Sequence, residues 1–216
     1  MCLVWGAALA YASIAFLLDD WAHGLFGHMN TITFKINFPY FKPGVDPESA
    51  ARQLRAHWGL REKPIPHMIE LLESQGAKVF SLANDIENMG TFSGWRGEVP
   101  YIFCSNLESA VKSRFTVAEQ LGHLVLHRDT RPKHYNTVRY AAHKFASAFL
   151  MPEGGMKPYE KPRLLHLKEI RERAQHWGVC STALIDRLKK LGKISNQPKH
   201  TPVSYTHLTL PTIYSV

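Results

Sequence analysis

Arg114-Phe-Thr-Val-Ala-Glu-Gln-Leu-Gly-His-Leu-Val-Leu-His127 decides the fold. Its apolar positions recur at helical spacing, so the stretch reads as an amphipathic helix. Glu119, His123 and His127 fall at i, i+4 and i+8 of that helix, which places all three on one face.

A His-Glu-x-x-His helix uses the same frame: two ligands one turn apart grip a zinc ion, and the intervening glutamate activates the metal-bound water. Here the first histidine position holds Glu119 and the glutamate position holds Gln120. An amide has no useful basicity, so Gln120 cannot take a proton from such a water. A carboxylate does bind zinc, so Glu119 with His123 remains a candidate pair. His123 and His127 form a second possible pair. All three cannot share one ion, because i to i+8 spans about 12 Å of helical rise.

Working outward, the chain before this helix changes period. Asp46-Pro47-Glu48 starts a helix with an aspartate cap, proline in the first position and acid in the first turn. That helix stops at Gly59, and Pro64-Ile-Pro66 makes a rigid elbow before a second helix, Met68 to Gly76. Three short strands follow, at 77–82, 91–96 and 101–105, with Gly94, Gly97 and Pro100 marking turns. After the motif helix, Val138 to Met151 is a further helix presenting Phe145, Phe149 and Leu150. Arg163 to Trp177 and Thr182 to Leu191 form a pair joined by a tight Gly-Val-Cys turn, with Ser181 as cap. They fit a helix-turn-helix or any short helical hairpin.

The ends need separate treatment. Cys2 to Leu18 carries no charge, and Leu3 to Trp21 reads as a mostly buried helix. It is shorter than the ~20 apolar residues of a spanning helix and has no Lys or Arg ahead of it, so neither insertion nor a signal peptide is expected. Residues 30–42 alternate loosely and meet Pro39 and Pro43, which fits an extended connector or an edge strand. Val203 to Val216 contains no Asp, Glu, Lys or Arg and resembles one reading frame of a transposon-end sequencing adapter. Its alternation would also suit a strand.

The 216 residues have room for one sizeable core, and the apolar fraction of 45% with 20% charged suits a folded soluble chain. The net charge is +8, concentrated toward the C-terminus: eleven Lys or Arg lie between Lys157 and Lys199 against four acids. Such an excess suits DNA, an acidic partner, or simply a solvated face. Three scattered cysteines exclude a disulfide framework and a cysteine zinc knuckle, which fits a reducing, cytoplasmic setting.

From Ala50 to about Asn196 the chain resembles the ImmA/IrrE family of metallopeptidases, in the form fused to an XRE-type helix-turn-helix regulator. The resemblance rests on Ala51-Arg-Gln-Leu-Arg55, Trp58-Gly-Leu60, Gly76-Ala-Lys-Val-Phe80, Phe92-Ser-Gly-Trp95, Leu121-Gly-His-Leu-Val-Leu-His127 and Phe145-Ala-Ser-Ala-Phe-Leu-Met-Pro152. Residues 8–21 look like the helix joining the two parts of such fusions, so the chain is expected to be a fragment without the repressor domain.

The resemblance implies an α+β, mainly helical, zincin-like fold with a small three-stranded sheet packed on the motif helix and a short helical pair behind it. The chain is expected to divide into a connector helix and extended linker at 1–45, a metallopeptidase-like domain at 46–155, a basic helical pair at 156–200 and the adapter-like tail at 203–216. It implies zinc, and cleavage of XRE-type repressors in phage or stress-response regulation. Carried over, the first ligand becomes Glu119, the general base Gln120, the second ligand stays His123, and the third-ligand position becomes Arg139. His143, one turn beyond Arg139, is a possible substitute ligand. At ~4 Å and an effective dielectric of ~20, opposite unit charges attract by about 4 kcal/mol, so a Glu119–Arg139 ion pair is expected in place of the metal.

Three readings therefore stand: an inactive peptidase-fold protein that binds a helix-turn-helix repressor, an active zinc peptidase with atypical ligands, or a DNA-binding regulator fragment using residues 163–193.

Overall fold

The computed structural model describes residues 12–17, 19–20, 36–81, 90–104, 109–128, 135–159 and 167–194. Its elements run α1 (Pro47–His57), α2 (Met68–Ser74), β1 (Lys78–Ser81), β2 (Phe92–Arg96), β3 (Val99–Cys104), α3 (Ala110–Leu126), α4 (Tyr135–Leu150), a 3-10 turn (Gly154–Tyr159), α5 (Leu167–Trp177) and α6 (Ser181–Lys190). The architecture is α+β and mainly helical, and no helix among the described residues is long and apolar enough to cross a membrane.

The start of α1 is the one the sequence dictates: Asp46 accepts the Ser49 N–H at 3.0 Å, and Pro47 follows without an N–H to satisfy. At the far end of α2, Gly76 has φ +92° and its α-carbon faces Ile36, where an added Cβ would stand 2.9 Å from the Ile36 Cα. Only glycine turns the chain there without collision. The expected cap Ser181 is instead the first residue of α6, and Cys180 holds the cap position without a side-chain hydrogen bond.

The sheet is three-stranded and mixed, in the order β1-β3-β2. β3 lies central, parallel to β1 (Val79 opposite Ile102) and antiparallel to β2 (Phe92 opposite Phe103). Strand alternation sends Ile102 into the main core, while Tyr101 and Phe103 face the other way. On that second face Phe80, Phe92, Tyr101 and Phe103 lie in near-parallel stacks.

Helical residues 12–17 and 19–20 cover this aromatic face. Ala15 is buried there, and Phe16 meets the Tyr101 ring edge-on at 4.8 Å. Asp19 pairs with Lys78 and accepts the Tyr101 hydroxyl at 2.6 Å; Asp20 takes both arms of Arg96 at 2.8 and 2.7 Å. Burial and the bond to Asp19 push the Tyr101 phenol up to about 12. The expectation of a mostly buried N-terminal helix is corrected for these residues. Ile14 and Leu17 are 52% and 68% exposed, because only one face of the segment meets the sheet. Residues 36–42 form an irregular connector, tied by the Asn37 N–H to Gln75 O at 2.9 Å. The remaining N-terminal residues and the tail 203–216 lie outside the described residues.

The main core is built by α1, α3 and α4 through Leu54, Leu121, Phe145 and Phe149, all fully buried, and it extends into α5 and α6 through Trp177, Leu184 and Leu188. Burying one such side chain contributes roughly 1.5–3 kcal/mol. Two arginines tie the irregular stretches to this core. Arg55 donates to the carbonyls of Arg61, Lys63 and Phe149 at 2.6–2.9 Å. Arg187 donates to Met151 O at 2.9 Å and sits 2.5 Å from Glu48.

Candidate functional site

The site is set by how closely α3 approaches α4. A Cβ added to Gly122 would lie 3.0 Å from the Phe145 ring and 3.1 Å from the Ala142 carbonyl, so the helices meet where one of them has no side chain. This fixes which residues face each other. Glu119 Oε1 lies 2.7 Å from His143 Nδ1, and the His143 ring tilts against Phe115 at 5.1 Å. The expected Glu119–Arg139 ion pair is absent. Arg139 is exposed, forms no ion pair with Glu119, and sits one turn, roughly 6 Å of rise, before the residue that does meet Glu119.

His123 is half-buried, next along the face. Burial lowers its pKa, partly offset by the charge of Glu119. Its ring lies 5.4 Å from that of His127. Burial, and then repulsion from His123, pushes His127 down to about 4, and its Nδ1 is buried without a partner. Both imidazoles are therefore neutral near pH 7, the state in which a ring nitrogen can ligate.

Gln120 is held from the sheet. Ser93 on β2 donates to Gln120 Oε1 at 2.9 Å, and the Trp95 indole donates to Leu124 O at 3.0 Å. The sheet therefore packs on the motif helix, as expected. Beyond it, Arg128 lies 4.1 Å over the Trp95 ring and pairs with Glu98 at 2.6 Å, closing the hairpin over the end of α3.

These side chains do not fit a catalytic zinc. Such a site needs three protein ligands and an open position. Among the described residues no group of three His, Cys, Asp or Glu is arranged to hold a metal. Glu119 is engaged by His143, the expected base position holds the amide Gln120, and the expected third-ligand position holds the exposed cation Arg139.

Ser93 is the contributor that the motif does not mark. Its signal is the alternation of β2, which puts Ser93 and Trp95 on the side opposite Phe92, toward α3. His143 was visible only as a possible ligand, and here it is the partner of Glu119.

A histidine-bearing helix beneath a small mixed sheet, tied to it through the residue at the base position, is the frame of a metallopeptidase-like domain. The chain belongs to the peptidase M78 family, whose IrrE N-terminal-like domain matches residues 72–189, more than half of its length. No curated protein matches it. Among solved structures, a Mycobacterium tuberculosis transcriptional regulator superposes with a TM-score of 0.47 at 18% identity, covering 74% of this chain. The chain spans 49% of that regulator's length.

Proposed function

We propose that this chain is a non-catalytic member of the M78 family, with a zincin-like fold, that binds a helix-turn-helix repressor without cutting it. The reading rests on one observation: the side chain at the general-base position is an amide whose oxygen already accepts a hydrogen bond from Ser93 at 2.9 Å. Gln120 can therefore position the helix against the sheet, but it cannot remove a proton. The Glu119–His143 contact supports the same reading, because it uses the carboxylate that would otherwise be the first ligand.

Metal analysis of protein purified without chelator tests this, together with proteolysis of an unfolded substrate such as β-casein. Less than a tenth of an equivalent of zinc and no chelator-sensitive cleavage are expected. One tightly held equivalent with cleavage that a chelator stops would establish the alternative, an active zinc peptidase using Glu119, His123 and His143. Stoichiometric capture of an intact XRE-type repressor is the positive outcome for the binding role. The DNA reading draws less support, since Arg187 is sealed against Glu48 and Arg173 pairs with Glu169 at 2.5 Å, leaving fewer cations of α5 and α6 for phosphates.

A further inference from the structure

A cavity of about 390 Å³ lies on the side of the core where α1, the segment after it, the end of α4 and α6 converge. The volume is within the usual range for a small-molecule site. Its floor is buried at Arg55 and Arg187, while Arg52, Arg61, Glu62 and Glu153 form an exposed rim. Arg52, Arg55, Arg61, Arg187 and Lys193 line it against Glu48, Glu62 and Glu153. Five basic side chains against three acids leave two positive charges without a counterpart.

The acids are also partly committed. Glu48 faces Arg187, and Glu62 accepts the Gly155 N–H at 3.2 Å. Arg55 and Arg187 are only 3% and 2% exposed, so the cationic floor is shielded from water. Arg55 bonds backbone carbonyls alone and has no carboxylate in direct contact. Arg52, Arg61 and Lys193 form no ion pair among the described residues.

A second observation concerns the backbone. Arg61 has φ +50°, the one positive φ among the described non-glycine residues. A side chain is strained in that conformation and glycine is not. The strained turn delivers the Arg61 carbonyl to two N–H groups of Arg55, at 2.9 and 2.6 Å. The same turn leaves the Arg61 side chain on the cavity wall, so one residue orients the floor and contributes to the lining.

We propose that this cavity binds a small organic phosphate, with the phosphate among Arg52, Arg61 and Lys193 above the Arg55 floor. A phosphate carries about −1.5 to −2 charges near neutral pH, which matches the excess, and guanidinium forks suit its oxygens. The organic part occupies the volume left over. The site is separate from the α3–α4 face, so it stands whether or not that face cuts.

The test is calorimetric titration of the full chain with adenosine monophosphate, inorganic phosphate and citrate, with melting curves alongside. Saturable binding of one equivalent of adenosine monophosphate is expected, tighter than either inorganic phosphate or citrate. Arg61→Gly keeps the turn and removes the guanidinium, so it should melt no lower than the parent while weakening binding at least tenfold. Arg52→Gln, at an exposed position, should weaken binding severalfold. Failure of adenosine monophosphate to bind overturns the proposal, as does unchanged affinity in both variants or binding of citrate as tight as the nucleotide.

Discussion

Glu119 and His143 are joined across two helices at 2.7 Å, and this contact stands where the sequence motif would place a metal ligand. The pair is part-exposed, 23% at Glu119 and 45% at His143, so its coupling is set by a largely aqueous environment. A double-mutant cycle with Glu119→Gln and His143→Ala should give a coupling of about 0.5–1 kcal/mol at pH 6. A coupling indistinguishable from zero would show that the contact does not hold the site together.

Rebuilding the motif is the complementary measurement. The triple variant Glu119→His, Gln120→Glu, Arg139→Glu puts a ligand or base back at the three positions that the sequence reading takes as substituted. It should bind about one equivalent of zinc, where the parent is expected to hold almost none, because two histidines one turn apart on α3 would then face α4, with His143 or the new carboxylate at position 139 as third donor. If the rebuilt site stays empty in excess zinc, the helices are set at the wrong spacing for a metal.

Gly122 gives a stability test. Alanine in a helix interior is intrinsically better than glycine by about 0.5–1 kcal/mol. Against that, the new Cβ meets the Phe145 ring at 3.0 Å and the Ala142 carbonyl at 3.1 Å, and overpacking a core costs about 1–3 kcal/mol. Crowding wins, so Gly122→Ala should lose about 1 kcal/mol by chemical denaturation. A gain would mean that the two helices separate freely.

The acid side of the stability profile belongs in part to His127. Burial and His123 hold it at about 4 in the folded chain, against an ordinary value of 6.5. A folded pKa below the unfolded one means that the stabilisation is complete above about 6.5 and is lost as the pH falls toward 4. The loss should be about 1–2 kcal/mol, discounted because the ring is only half-buried. Melting curves from pH 7 to pH 4.5 should show it, and His127→Gln should flatten the slope. An unchanged slope would assign the acid sensitivity elsewhere.

The legible features were those with short-range causes. Helix α1 follows from Asp46 and Pro47, the sheet from alternation between turn residues, and the shared face of Glu119, His123 and His127 from helical periodicity. What could not be read was which residue of α4 meets Glu119. That depends on a glycine in one helix meeting an alanine and a phenylalanine in another, and no local rule counts across such a crossing. For the same reason Arg139 looked like a partner for Glu119 and His143 turned out to be one. Ser93 acts through its reach to α3, which strand alternation allows but does not single out. The exposure of Ile14 and Leu17 has the same origin, since a uniformly apolar run does not show which side will find the sheet.

The cover formed by residues 12–17 and 19–20 affects where the molecule can be divided. The family match begins at residue 72, yet Ala50, Ala51 and Leu54 of α1 lie at 0% exposure against the helices that follow. A truncation to the matched region would remove one wall of the core and uncover the ring stack of Phe80, Phe92, Tyr101 and Phe103. Such a fragment would present a flat aromatic surface beside a sheet edge, a combination that favours aggregation over folding. A piece that keeps both this core wall and the cover of the ring stack therefore reaches from residue 12 to the end of α6, well beyond the boundaries that family similarity draws.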